Sequence, residues 1–474
     1  MSKYNMANIL NTLRYVRQKV PFYQGDSYKV LDKINKNNLE YVLESLPIID
    51  GSYFYEDNFY KFIPYNLYSN NPYNLYLYSN KPPYISIFKT SGSTGKQKNI
   101  PVSGYYIEEY AKTGVKAIFD NLGLFERPAY QIVIGAPRPA ISGVVMSKIT
   151  ELSGGIEFSL GPGQRIIDLL RNIDSIHSST KGRNNKVIIM AYPSMLFREY
   201  YNLNEQERDY LKEFSNRYDL YLSVGAETTD LNRAMLLRKF YGAKKIADYL
   251  SATEAIAGIR VYDEDAFKNP ERVKGFIMYD DHIDYRIVGK DYFIPLKPKY
   301  VGKEGELVIT HKSDKNKPAL LIKYNMHEGV RLIGFVDYVV PENKKRAVLM
   351  FLGRTNKIYG FGVSKLNSDI VDSVIAGAVL NYNLGEGYAE IVRDNGLDVL
   401  VFHLYKNNFN GTKEEVKSFI EESLSKKEME LQYTLANKLA RVEVVLEDSK
   451  DKIPFYKERG KSTRLVDNRG LSHY

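Results

Sequence analysis

The chain has 474 residues, more than one hydrophobic core ordinarily serves, so its length predicts two or more domains. A hydrophobic content of 44% and a charged content of 26% are those of a globular protein, and no run of about 18 apolar residues marks a membrane span. The absence of cysteine excludes disulfides, thiolate metal sites and a cysteine nucleophile, while the net charge of +9 is dispersed beside 57 acidic residues and forms no stripe for nucleic acid.

The first nineteen residues lack the apolar stretch of a secretory signal, so a cytoplasmic location is expected. Residues 4–19 place Ile9, Leu13 and Val16 on one stripe and then meet Pro21, which predicts an amphipathic helix. VPFYQG follows, then LPIID at Leu46 to Asp50, and 51–87 is rich in Tyr, Asn and Pro without a period, which reads as irregular structure. The stretch Phe88 to Val102, FKTSGSTGKQKNIPV, is different. Hydroxyls at Thr90, Ser91, Ser93 and Thr94 are spaced by Gly92 and Gly95 and followed by Lys96 and Lys98, a set that offers donors and positive charge to phosphate oxygens. It is not a Walker loop, because Thr90 stands where that motif needs glycine and Gln97 where it needs Ser or Thr. A polar turn between strand and helix is the plain alternative for so short a run.

Downstream, residues 105–122 read as a helix, and then apolar strands alternate with amphipathic helices: 131–135 with 142–152, 155–160 with 165–176, 187–190 with 195–201 and 205–217, 220–224 with 230–240, and 245–249 before a polar turn. That alternation predicts parallel sheets covered by helices, with ligands at the carboxyl ends of the strands. MAYPSML, SVGAETTD and ADYLSATEA all fall at such ends. From Gly275 the pattern turns antiparallel through FIMYDDHIDYRIV, DYFIPLK and GKEGELVITH. After FLGRTNKIYGFG a separate small unit is expected, with helices at 366–380, 413–424 and 427–439 and strands at 386–393, 397–405 and 441–447. The six histidines, His177, His282, His311, His327, His403 and His473, have no metal-binding spacing and read as surface or hydrogen-bonded core residues.

TSGSTGKQK closely resembles the phosphate loop of the adenylate-forming superfamily, which includes acyl-CoA ligases and carrier-protein adenylation domains. The opening VPFYQG and LP segments, and the ending GKSTRLVDNRG, are similar to those of phenylacetate CoA ligases. The resemblance implies an α/β fold: a large N-terminal domain, 1–354, of helix-covered sheets plus a small β-barrel-like subdomain, and a mobile C-terminal α+β lid domain, 355–474. It implies that Thr90, Ser91, Gly92, Ser93, Thr94, Gly95 and Lys96 hold the triphosphate, and that Tyr192, Pro193 and Ser194 line the acyl pocket. Gly225, Ala226 and Glu227 match the segment that lies against adenine, Thr253 matches a hydroxyl for the α-phosphate, and Glu254 matches a carboxylate for Mg²⁺. Leu250 and Ser251 replace the aromatic and glycine of that motif, with Tyr249 one residue early. KYNMHE, Lys323 to Glu328, stands for the "RYrtGD" segment, so Glu328 takes the place of the aspartate that binds the ribose. Gly353 and Arg354 mark the boundary, Asn356 or Lys357 the hinge, and Lys461 is the lysine that closes over the site for adenylation.

The implied reaction is ATP-dependent activation of a small-molecule carboxylic acid, aryl or related, to an acyl adenylate, followed by transfer to a thiol. Coenzyme A is the implied acceptor. A carrier-protein phosphopantetheine, and so an acyl carrier protein as partner, or an amine as in amide-forming synthetases, are alternatives, as is a descendant that binds nucleotide without turnover. No nucleic-acid partner and no membrane span are expected, and the assembly is expected to be a monomer or homodimer.

Overall fold

The computed structural model describes residues 3–55, 58–64, 85–89, 98–124, 130–135, 141–160, 164–180, 184–225, 227, 229–269, 273, 275–312, 320–338, 344–355, 358–361, 364–427, 429–454 and 464–469. The chain divides into two compact units: Met1–Ser159, Ala247–Val261 and Val273–Leu352 form the first, and Leu160–Ile246, Tyr262–Arg272 and Gly353–Tyr474 the second. The segment expected to be the lid lies wholly in the second, which also takes in 160–246. Among the described residues no helix is long and apolar enough to cross a membrane.

In the first unit the stripe predicted for the N-terminal helix is real: Lys3–Lys19 is helical, and Ile9, Leu13 and Val16 are fully buried. Part of the stretch read as irregular is a strand. Ile85–Lys89 pairs antiparallel with Asn99–Ser103, in register from Ile85 opposite Ser103 to Lys89 opposite Asn99. Ser103 then starts the helix Gly104–Leu122, its hydroxyl accepting from the Tyr106 amide at 3.1 Å and so satisfying one of the donors a helix start leaves open. Tyr130–Ile134 and Ile156–Ser159 are parallel neighbours linked through the helix Ile141–Ser153, as the alternation predicts.

The rest of this unit is a run of hydrogen-bonded strands in the order Tyr292–Pro295, Ile283–Gly289, Glu304–His311, Tyr324–Tyr338, Lys344–Arg354, Phe276–Met278, Ile256–Tyr262 and Lys245–Ser251. The small barrel-like subdomain is therefore an open antiparallel array among the described residues. Its edge strand, Tyr292–Pro295, has four residues and pairs with Ile283–Gly289 alone, so the sheet ends there and does not close on itself. Leu46 to Asp50 docks beside this array: Ile49 bridges Tyr324, donating to the Lys323 carbonyl at 3.0 Å and accepting from the Asn325 amide at 2.7 Å.

In the second unit Lys186–Ala191 and Asp219–Gly225 are parallel and nearly continuous in buried apolar residues, the mark of strands covered on both faces. Each feeds a helix, Pro193–Tyr201 and Leu231–Tyr241. The C-terminal part is a four-stranded sheet in the order Ala440–Glu447, Leu397–Tyr405, Gly387–Asp394 and Leu465–Asp467, with helices Ser368–Tyr382, Lys413–Lys427 and Met429–Ala436. Gly353 opens it at φ 101°, and a Cβ there would lie 1.9 Å from the Asn367 side-chain nitrogen; both the backbone angle and the space require glycine.

Candidate active site

Strand Lys245–Ser251 ends in a tight turn. Ala252 and Ala255 exchange backbone hydrogen bonds of 2.8 and 3.3 Å, so Thr253 and Glu254 project from its tip. Three aromatic side chains from distant elements hold this turn. Tyr110 donates its hydroxyl to the Ala252 carbonyl at 2.8 Å, His311 Nε2 donates to the Glu254 carbonyl at 2.9 Å, and the Tyr324 hydroxyl donates to Glu254 Oε1 at 2.6 Å. Because the His311 partner is a carbonyl oxygen, the ring carries its proton on Nε2. Tyr106 lies flat on His311, ring centres 3.9 Å apart and 17° from parallel. Burial lowers the His311 pKa to about 4, against the upward pull of the Glu254 carbonyl, so the imidazole is neutral at physiological pH. Burial, with the Glu254 charge adding to it, drives the Tyr106 phenol up, so it too stays uncharged. The Glu254 side chain is thus buried, with the neutral Tyr324 hydroxyl bonded to its Oε1. A single hard oxygen ligand of this kind suits Mg²⁺, which takes its remaining ligands from phosphates and water; among the described residues no cluster of three acidic or histidine side chains offers an alternative.

A second feature lies on the strand Tyr324–Tyr338. Opposite Glu304–His311 the pairing runs Val308 with Asn325 and then Glu306 with Gly329, so Leu307 alone on one strand faces three residues on the other. The extra residues form a bulge, and it carries Met326, His327 and Glu328. His327 stands where the resembled motif has glycine, and its φ of 54° keeps the left-handed backbone that glycine would adopt, at roughly 1–3 kcal/mol of strain for a residue with a side chain. Its ring meets carboxylates on both sides: Nδ1 is 3.4 Å from Glu306 Oε1 and Nε2 is 3.7 Å from Asp50 Oδ2. Asn325 completes the arrangement, accepting from the His327 amide at 2.8 Å and donating to Glu306 Oε2 at 2.6 Å. Burial pushes the Asp50 carboxyl up, but the Ser52 hydrogen bonds and the charges of His327 and Lys98 bring it below its ordinary value. Lys98 lies across Gly51, where a Cβ would meet its Nζ at 2.0 Å. Glu328 itself is buried.

In the second unit Ser194 and Glu227 are brought together. Ser194 donates its amide to Glu227 Oε2 at 2.9 Å and its hydroxyl to Oε1 at 2.5 Å. Arg233 is 3.5 Å from the same carboxylate and 3.6 Å from Asp372, while Arg464 is 3.8 Å from Asp372 and 2.5 Å from Glu386. Arg233, Arg464 and Glu386 are almost completely buried. Burial raises the Asp372 carboxyl to about 6, against the opposing pull of Arg464 and Arg233. Tyr192 and Pro193 are buried at the start of Pro193–Tyr201, and Gly225 ends its strand beside Glu227.

Of the remaining residues singled out from the sequence, Thr90 to Lys96, Ala226, Asn356, Lys357 and Lys461 lie outside the described residues. Arg354 closes the strand Lys344–Arg354. Tyr249 turns its hydroxyl to the Gly114 carbonyl at 3.5 Å, Leu250 is buried, and Ser251 ends the strand one residue before the Thr253–Glu254 turn. The sequence reading gave Glu306 only as part of the GEL triplet, did not single out Tyr106, Tyr324, Asp50, Arg233 or Asp372, and took His311 for a surface or hydrogen-bonded core residue. The one signal within reach was GELVITH beside KY, two motif fragments that end in hydrogen-bonding side chains.

No protein-family model and no curated protein matches the chain. Solved structures do. A 2-hydroxyisobutyryl-CoA ligase, in the postadenylation state with a bound acyl-AMP, superposes with a TM-score of 0.66 at 14% identity over 99% of this chain and 90% of that one. An open conformation of that ligase with 2-HIB-AMP and CoA gives 0.53 at 13% identity, over 98% and 91%. The GH3.15 acyl acid amido synthetase gives 0.62 at 12% identity, over 98% and 90%. The chain therefore carries, along nearly its whole length, the fold of a CoA ligase and of an acyl acid amido synthetase, the fold its motifs predict.

Proposed function

We propose that the chain activates a carboxylic acid with ATP, forming an acyl adenylate and pyrophosphate, and then transfers the acyl group to a thiol, with coenzyme A as the acceptor. The observation that carries this reading is the Thr253–Glu254 turn: the motif expected to face the nucleotide projects from a strand end, with its buried carboxylate bonded by the neutral Tyr324 hydroxyl and its backbone carbonyl by the neutral His311 ring. The chemistry asks for such a group. A carboxylate oxygen must attack the α-phosphorus while the bond to the bridging oxygen of pyrophosphate breaks, and both partners are anions that repel one another. Mg²⁺ bound at Glu254 would supply the countercharge for the leaving phosphates. Thr253 offers its hydroxyl to the α-phosphate, Thr90 to Lys96 wrap the triphosphate, and Lys461 meets the charge that develops between acid and phosphorus. Thr253, Glu254 and Lys461 are the catalytic residues in this reading. Gly225, Ala226 and Glu227 present backbone to the adenine, Tyr249 and Ser251 border it, and Glu328 and Arg354 complete the nucleotide site. Tyr192, Pro193 and Ser194 would line the pocket for an aryl or related acid. In the second step the thiolate attacks the acyl carbon and AMP leaves.

A second acceptor, an amine, has its own support in the likeness to an acyl acid amido synthetase at a TM-score of 0.62; a carrier-protein thiol is the third. We place the reaction in the cytoplasm. The test is acid-dependent ATP–pyrophosphate exchange over a panel of aryl and aliphatic acids, followed by mass spectrometry of the product with coenzyme A, a phosphopantetheinylated carrier protein or amino acids as acceptor. Exchange with at least one acid, and a thioester in preference to an amide, is the expected result; an amide product moves the function to the second reading, and no exchange with any acid overturns both.

A further inference from the structure

We propose that His327 is a positioning residue for Glu328: held between Asp50 and Glu306, it fixes the bulge that carries Glu328 and so sets this chain's grip on the ribose of its nucleotide. This rests on the nucleotide-binding reading above. Three independent features meet at this one residue. The strand bulges there, with Met326, His327 and Glu328 opposite Leu307 alone. The backbone is left-handed at a residue with a side chain, an arrangement that persists only where the surroundings hold it, and such places gather at ligand sites. The ring is also gripped by carboxylates from two separate elements, Glu306 on the neighbouring strand at 3.4 Å and Asp50 at the end of the LPIID segment at 3.7 Å.

The segment that delivers Asp50 is anchored on the same strand. Ile49 bridges Tyr324, and the buried Lys323 ammonium donates to the carbonyls of Leu46 at 2.6 Å and Glu44 at 3.1 Å. Asp50 cannot drift from His327 without breaking these contacts. The charged groups facing the His327 ring are thus Asp50, Glu306 and, through Asp50, Lys98, which belongs to the same stretch as the phosphate loop. Where the resembled motif has glycine and a short aspartate, this chain has a histidine and the longer glutamate. A longer arm has more rotamers to lose on binding, and a turn fixed by side-chain contacts limits where that arm begins.

The test compares binding of AMP with that of 2′,3′-dideoxy-AMP by calorimetry in the full-length chain, for the wild type, His327→Gly, Glu306→Gln and Glu328→Gln. Glycine accepts the left-handed backbone, so His327→Gly removes the grip without strain. The wild type is expected to prefer AMP about tenfold or more, the worth of hydrogen bonds to a carboxylate. His327→Gly and Glu306→Gln should each cut that preference at least about fivefold by weakening AMP alone, leaving the dideoxy analogue unchanged. A merely structural role would weaken both nucleotides together, and that result overturns the proposal. So does a full preference in His327→Gly when Glu328→Gln has lost it. A preference untouched in Glu328→Gln, or a wild type that binds neither nucleotide, overturns the ribose reading of Glu328 and the role of His327 with it.

Discussion

Glu254 and Glu227 both stand at strand ends and both belong to motifs singled out from the sequence, yet their surroundings are opposite. Glu254 is met by a tyrosine hydroxyl, and its carbonyl by a neutral imidazole, so no described partner cancels its charge. Glu227 is clamped by Ser194 and faced by Arg233, the first of a buried series that continues through Asp372 and Arg464 to Glu386. A carboxylate bonded by a neutral hydroxyl has no fixed cation beside it and can take one from a ligand, whereas one faced by arginine is answered within the protein's own structure. In the proposed function the same residue type therefore plays different parts: the side chain of Glu254 is the group offered to a ligand, while for the segment around Glu227 it is the backbone.

The largest expected effect tests the charged side of that contrast. Arg464→Met takes the cation from buried Glu386 and leaves Asp372 facing Arg233, and should destabilise the fold by about 3–5 kcal/mol, read as a fall in the thermal and denaturant midpoints. Glu254→Gln should do the reverse, with thermal stability nearly unchanged but acid-dependent pyrophosphate exchange lowered roughly 100- to 1,000-fold, the effect of removing one well-placed electrostatic group. Tyr324→Phe removes only the hydroxyl that holds Glu254, and should lower exchange about tenfold while raising the Mg²⁺ concentration it requires. The smallest effect concerns Asp372. Its folded pKa is raised to about 6 from an ordinary 3.8, so the native state holds this proton more tightly than the unfolded chain. Its stabilising contribution is full below the unfolded value, is lost as pH rises through about 6, and is flat above. Asp372→Asn should lack that slope, so the wild-type curve minus the variant curve should fall as pH rises from 4 to 6.

Much of the framework was legible because it follows local periodicity. Strand Leu397–Tyr405 falls at its predicted bounds, and the helices Lys3–Lys19 and Gly104–Leu122 begin within a residue of theirs. Ile85–Lys89 was hidden, since five residues at the end of a Tyr/Asn/Pro-rich stretch carry no period, and its partner was absorbed into the loop motif. Ile256–Tyr262 and the long strands Tyr324–Tyr338 and Lys344–Arg354 were missed too: IAGIRVY and KKRAVLMFLGR carry no clean alternation, and the start of Tyr324–Tyr338 was taken up by the KYNMHE motif. The candidate site could be read from the sequence as Thr253, Glu254 and Glu328, but the groups that contact them could not. Tyr324 and His311 lie 70 and 57 positions from Glu254 in sequence, and the left-handed backbone at His327 has no glycine to announce it. Contacts of that range are set by how strands pair, which no local pattern records.

The most direct test of the account is ATP–pyrophosphate exchange with the best acid of the panel, in the wild type and in Lys461→Ala, alongside thermal unfolding of both. The account predicts acid-dependent exchange in the wild type, its loss by a factor of about 100 or more in the variant, and superimposable unfolding curves. Exchange that persists undiminished in Lys461→Ala would contradict it.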